Sequence, residues 1–223
     1  GGYRKYKPTD PWVVAISTRL AKVSSAPVLA IDYRLAPEFD VSSQAAVCDT
    51  LDGIRWLTRS FPGASIFVAG DSAGAGLALA ATLACLEDRH LDRDRDYPPL
   101  PSGIIIASPY VDLTMTSPGF EAAMFRYEDS FGDIFYSNHD RTSTPQADRS
   151  WLQRRANDYI ATASSDDPYC SPYYIRDDLL RQFPPLLALV GGHEVFLHET
   201  AQFAERARHV GVKCSVRVHA RMW

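Results

Sequence analysis

No stretch of this sequence stays apolar for the roughly 18 residues that a membrane-spanning helix needs, and its start, GGYRKYKP, carries no signal-peptide pattern. Cysteine is scarce. The four in 223 residues, Cys48, Cys85, Cys170 and Cys214, lie far apart with no CxxC pair. They are read as reduced, buried thiols in preference to a disulfide or metal site. A basic excess is also lacking, with 23 Lys and Arg against 27 Asp and Glu and a net charge of −4. A nucleic-acid partner needs a basic face to displace counterions from phosphate, so that class is set aside. Neither an internal repeat nor a domain linker is visible, and 223 residues suit one single-core domain. A cytoplasmic setting is favoured.

What the sequence does hold is an alternation of two patterns. Short β-rich runs, apolar on both faces, occur at 26–33 (APVLAIDY), 64–71 (ASIFVAGD), 102–111 (SGIIIASPYV), 185–192 (PLLALVGG) and 213–220 (KCSVRVHA). Runs of that kind are the mark of strands in a covered parallel sheet. Between them lie helical patterns at 11–24, 42–61, 74–90 and 198–211. The first has Asp10 as a candidate N-cap and Pro11 at its first helical position. Strand–helix repetition predicts an α/β fold with a mostly parallel sheet, flanking helices and right-handed crossovers.

Residues 114–183 break that rhythm, with no clear strand and many aromatics, among them Phe120, Phe125, Tyr127, Phe131, Phe135, Tyr136, Trp151, Tyr159, Tyr169, Tyr173 and Tyr174. The centre, SNHDRTSTPQADRS at 137–150, is polar and reads as loop. So long an excursion suggests a lid or substrate-pocket insert, the alternative being a side layer whose aromatics only fill core.

Gly70-Asp71-Ser72-Ala73-Gly74 matches G-x-S-x-G. It follows an apolar strand and opens an alanine-rich helix, the setting in which a sharp turn lifts a nucleophilic serine to the sheet's edge. Glycines two residues either side keep the backbone from colliding. The N–H of Ala73, at the helix start, is placed to donate to an oxyanion. The bland alternative is a serine N-cap at an ordinary turn.

The segment Asp32-Tyr33-Arg34-Leu35-Ala36-Pro37-Glu38, with GDSAGAG some forty residues on, resembles the hormone-sensitive-lipase branch of the α/β-hydrolases, also called the α/β-hydrolase-3 group. Ser108-Pro109-Tyr110-Val111-Asp112-Leu113 and Asp167-Pro168-Tyr169-Cys170-Ser171-Pro172 extend the likeness across the chain. The resemblance implies an α/β-hydrolase fold with a helical, aromatic insert. It also implies a serine carboxylesterase or lipase-like enzyme acting through an acyl-enzyme on short to medium acyl esters. The partner is then a small-molecule ester, and no metal or organic cofactor is needed. Amidases or deacetylases, and a non-catalytic hormone-receptor-like binder, are the alternatives the group contains. In the family the DYRLAPE segment supports the oxyanion loop, so Asp32, Tyr33, Arg34 and Glu38 are expected to hold that loop without reacting. The residues alone read equally as a buried ion pair.

The family's acid follows the penultimate strand. Here PLLALVGG runs into His193-Glu194-Val195-Phe196-Leu197-His198-Glu199, and Glu194 takes the acid's place. The chain order Ser, acid, His suits the fold. Glu199, one helical turn later, is expected to serve that helix's first turn instead. The H-E-x-x-x-H spacing is not that of a zinc protease, and His193 and His198 read as loop or surface residues.

The resemblance also speaks to the ends. Gly1-Gly2-Tyr3 resembles the last part of the family's H-G-G-G oxyanion loop, so Gly1 and Gly2 join Ala73 as expected oxyanion donors. Met222 and Trp223 align with the two residues before the family's catalytic histidine. His219, earlier on the last strand, is expected to point elsewhere. The sequence therefore reads as a fragment without its base and nearly inactive by itself, lacking the N-terminal strands and C-terminal helix. In the family a strand separates VLAIDY from SIFVAG, so either a gap in the sheet or a collapse of those two strands together is expected there, and either way an unpaired apolar edge with poor solubility.

Overall fold

The computed structural model describes residue 3 and residues 6–91, 98–124 and 145–222. Helix α1 covers Pro11–Ser24 and α2 Ala45–Ser60, followed by strand β1 at Phe67–Asp71 and helix α3 at Ala73–Leu91. Strand β2 is Gly103–Ala107. The insert contributes α4 (Pro118–Met124), α5 (Pro145–Ile160) and a short α6 (Asp177–Leu180). Strand β3 (Leu186–Gly191), helix α7 (Leu197–His209) and strand β4 (Cys214–His219) complete the order.

Among the described residues the strands form one sheet in the order β1-β2-β3-β4, every pair parallel. Parallel neighbours need crossovers, and α3 and α7 supply two of them. The middle strands carry the apolar load, with Ile104, Ile106, Ala188 and Val190 at 2% exposure or less. From residue 73 to 86 helix α3 is apolar all round, and such a stretch is buried all round. Its Ala75, Leu79 and Leu83 pack against Ile104, Ile106 and Phe203, while Ala80, Ala81 and Cys85 meet Ala46, Val47 and Leu51 of α2. Each fully buried leucine contributes roughly 2–3 kcal/mol.

Four expectations need correction. The run 26–33 forms no strand among the described residues. A strand is a ladder, and no neighbour pairs with this segment. With no strand at 26–33 there is no gap between two strands to observe; what the structure shows among the described residues is the expected unpaired apolar edge, since β1 ends the sheet and Phe67 on it is 60% exposed. The polar stretch read as loop is helical from Pro145 onward, where that proline opens α5 and presets its first φ angle. Asp10 sits at the N-cap position of α1, but its side chain accepts the Lys7 N–H at 2.9 Å and does not cap the helix. All four cysteines are free as expected, yet Cys48 is exposed and Cys214 only half-buried.

Among the insert's described aromatics, Phe120 and Tyr159 are buried in core, while Tyr173 and Tyr174 are half-buried. Phe120 and Tyr159 join Leu152, Ala156, Tyr110, Val195 and Phe196 in one buried cluster. Tyr169 donates to Glu87 of α3 at 2.7 Å. Phe125, Tyr127, Phe131, Phe135 and Tyr136 lie outside the described residues. No described helix is long and apolar enough to cross a membrane.

Candidate active site

Because the strands run parallel, all their carboxyl ends share one edge, where α/β sheets bind ligands. Ser72 follows β1, Ser108 follows β2, Glu194 follows β3 by three residues, and Met222 follows β4.

Ser72 has φ +52°, the left-handed region that a side chain adopts at a cost of about 1–3 kcal/mol. It is held there from both sides. Its N–H donates to the Ala107 carbonyl at 2.9 Å, and its own carbonyl accepts from Tyr110 at 3.2 Å and from Ala75 at 3.1 Å. Glycine is required at position 70, since a Cβ would sit inside the Gly74 carbonyl. Gly76 leaves room for Tyr3, whose hydroxyl would lie 2.9 Å from a Cβ there. Ala73, 2% exposed, opens α3, so the helix offers its N–H no internal partner. Gly1 and Gly2 lie outside the described residues.

Glu194 is buried. Its Oε1 accepts two bonds, from the Ser108 hydroxyl at 2.8 Å and from the Gly191 N–H at 2.8 Å. The turn from Gly191 to Glu194 folds the side chain back over its own strand end, closed by Glu194 N–H to Gly191 carbonyl at 3.3 Å. A Cβ on Gly191 would come within 2.9 Å of Oε1, so glycine there admits the carboxylate. Beside it lies a pocket of about 230 Å³ whose lining includes Ser108, Leu189, Gly191, Glu194, His219 and Met222. Ser72 is outside that lining, one strand over, joined to it through the 107–110 backbone.

His219 therefore departs from expectation: it is exposed, yet it borders the same pocket as Glu194. His193 is exposed, and its N–H donates to the Met222 carbonyl at 3.1 Å. His198 lies half-buried in the first turn of α7 and packs so closely on α4 that a Cβ at Gly119 would overlap its ring. Glu199, buried in α7's first turn, accepts a bond from the Ser117 hydroxyl, while its Oε2 is buried without a hydrogen bond. Burial, the largest cause, raises its pKa above the ordinary 4.5.

The DYRLAPE residues are differently employed from one another. Asp32 pairs with Lys7 at 3.0 Å in an exposed bridge, not the buried pair that was the alternative. Arg34 reaches Asp49 of α2 at 2.8 Å and lies over the Phe39 ring, so it ties this segment to α2. Glu38 is exposed. Tyr33 packs against the α2–α3 core, where burial and then Asp71 raise its pKa. The direct tie to the N-terminal loop is backbone: Ala36 N–H donates to the Tyr3 carbonyl at 2.9 Å. Tyr3 also stacks on Tyr159 of α5, ring centroids 4.0 Å apart, and burial pushes its hydroxyl pKa well up. The Cys170 thiol is pushed up to about 11, by burial first and Asp167 second, which leaves it a protonated, unreactive core group.

No cluster of metal-ligating side chains occurs among the described residues. The arrangement offers a strained serine, a helix-start amide and an anchored carboxylate at one sheet edge. Sequence reasoning assigned no role to Ser108 or Tyr3. Their signals were a serine directly after an apolar strand and an aromatic after Gly-Gly.

Comparison with known proteins agrees with this architecture. Residues 1–223 match a family described as alpha/beta hydrolase fold. An esterase of Acinetobacter venetianus is 30% identical over 210 residues, covering 94% of this chain and 60% of that protein. An acetyl-hydrolase of Streptomyces hygroscopicus is 33% identical over 193 residues, covering 86% of this chain and 54% of that protein. The crystal structure of an esterase from the bacterial hormone-sensitive lipase family superposes with a TM-score of 0.75 at 29% identity, covering 100% of this chain and 64% of that one. This chain thus spans less than two thirds of the length of each. With strand order, elbow and full-length match in accord, the chain belongs to the α/β-hydrolase-3 family of the alpha/beta hydrolase fold.

Proposed function

We propose that the complete protein is a serine carboxylesterase that hydrolyses short to medium acyl esters of small molecules through an acyl-enzyme. The observation that carries this reading is Ser72 at φ +52° on a strand-to-helix turn, pinned to the segment whose Ser108 also holds Glu194. Relatives named esterase, acetyl-hydrolase and carboxylesterase/phospholipase support it.

In this mechanism the Ser72 hydroxyl oxygen attacks the ester carbonyl carbon, and its proton passes to a histidine. The family resemblance puts that histidine directly beyond Trp223, where the chain end carrying Met222 already borders the Glu194 pocket. Glu194 fixes the imidazole's tautomer and stabilises the imidazolium. The Ala73 N–H, with those of Gly1 and Gly2, receives the oxyanion, each donor contributing roughly 3–4 kcal/mol. Collapse of the tetrahedral intermediate expels the alcohol with the proton from the imidazolium. Water then repeats the sequence on the acyl-enzyme.

The test is turnover of p-nitrophenyl acetate and butyrate by the complete protein. Ser72→Ala lowers kcat by several orders of magnitude, as for other triad nucleophiles, with the fold intact by circular dichroism. Unchanged turnover in that variant rejects the assignment.

A further inference from the structure

The acid of the proposed triad is held from a place its own loop does not provide. Loop 192–196 carries Glu194, but one of the two donors to its Oε1 comes from β2's end, 86 residues away in sequence. The other is the N–H of Gly191 at the end of β3. Both arrive at 2.8 Å and both converge on one oxygen, so the carboxylate's rotation is fixed relative to two adjacent strands at once.

The backbone at Ser108 departs from ordinary strand geometry. Its φ is +45°, a conformation that glycine adopts freely and serine rarely does. The β2–β3 ladder nevertheless continues through it, since its N–H donates to the Leu189 carbonyl at 2.8 Å. Strain of this kind, kept where glycine would relieve it, points to use of the side chain. That side chain is a hydroxyl, it is spent on Glu194, and it stands in the lining of the pocket that Glu194 borders.

We propose that Ser108 is a positioning residue for the triad: its hydroxyl locks the Glu194 carboxylate in the orientation that receives the catalytic imidazole. This rests on the ester-hydrolase reading above. The Ser108 hydroxyl donates to Glu194, and it is through that carboxylate that Ser108 acts. The serine tolerates its backbone angle because the hydrogen bond to a buried carboxylate offsets the strain.

The experiment compares Ser108→Gly, Ser108→Ala, Ser72→Ala and Glu194→Gln in the complete protein, with p-nitrophenyl butyrate as substrate. Glycine relieves the backbone while deleting the hydroxyl. The expected result is a roughly ten- to hundred-fold lower kcat in both Ser108 variants, with KM changed less than about two-fold, and a Tm for Ser108→Gly no lower than the parent's. Once Glu194→Gln is present, adding Ser108→Gly costs less than about two-fold, because both act through one contact. Wild-type kcat in Ser108→Gly overturns the proposal, and so do losses that multiply in the double variant. Turnover that survives Ser72→Ala instead rejects the ester-hydrolase reading itself, and this inference with it. Loss in Ser72→Ala with full activity in Ser108→Gly rejects the inference alone.

Discussion

Helices α1 and α3 have similar apolar content and opposite fates. Helix α3 is buried on every face, between the sheet and α2. Helix α1 buries no residue, and its Trp12, Ile16 and Val23 are 37, 52 and 71% exposed. The difference extends to the sheet. Strands β2 and β3 have a neighbour on both sides, while β1 ends the ladder with Phe67 facing outward. Among the described residues one flank is a packed core and the other exposes apolar side chains of α1 and β1. Local pattern makes a helix; burial requires something to pack against. Ser72 sits on the border between the two flanks, since β1 leads into it and α3 follows it.

This contrast can be broken by experiment, and the largest effect is expected where the flanks meet. Gly70→Ala drives a methyl into the Gly74 carbonyl, so it should destabilise by more than about 3 kcal/mol, read by denaturant unfolding, and on the proposed function it should abolish ester turnover by the complete protein. Next in size, Leu83→Ala on α3 should cost roughly 2–5 kcal/mol, while Leu20→Ala on α1, 40% exposed, should cost less than about 0.5 kcal/mol. Equal losses in urea titrations would erase the distinction between the flanks.

Glu199 probes the packed flank through pH. Burial raises its pKa, so the folded protein holds that proton more tightly than the unfolded chain does. The resulting stability is full below the ordinary value of 4.5 and is lost as pH rises through the higher folded value. Glu199→Gln should therefore flatten the fall in Tm between about pH 4 and pH 7 and leave the variant the more stable form at neutral pH. A parallel fall in both proteins rejects this. The smallest effect on stability belongs to the open flank: lysines at Val14, Ile16 and Val23 should change unfolding free energy by under about 0.5 kcal/mol each while raising the soluble fraction on expression.

Much of the fold was legible because it is written locally. The bounds of α1 match its sequence pattern from Pro11 to Ser24, and each strand that formed lies inside its predicted run. The run 26–33 has the same composition and forms no strand, because strand character is completed by a partner's hydrogen bonds and no neighbour among the described residues pairs with it. At the site, GDSAG was readable since the turn's steric demands fall on five consecutive residues. Ser108 was not, since its meaning lies in a contact with residue 194. Nor was the position of His219, which the twist and register of β4 bring to the Glu194 pocket.

By itself the sequence determined where chain and chemistry could begin: helices from apolar periodicity, strands from β-branched runs, a strand-to-helix turn from glycines that only a tight bend needs. The tertiary structure alone decided which apolar surfaces found a partner and which carboxylate was gripped. Packing and hydrogen bonding are pairwise, and the second member of each pair lies far along the chain.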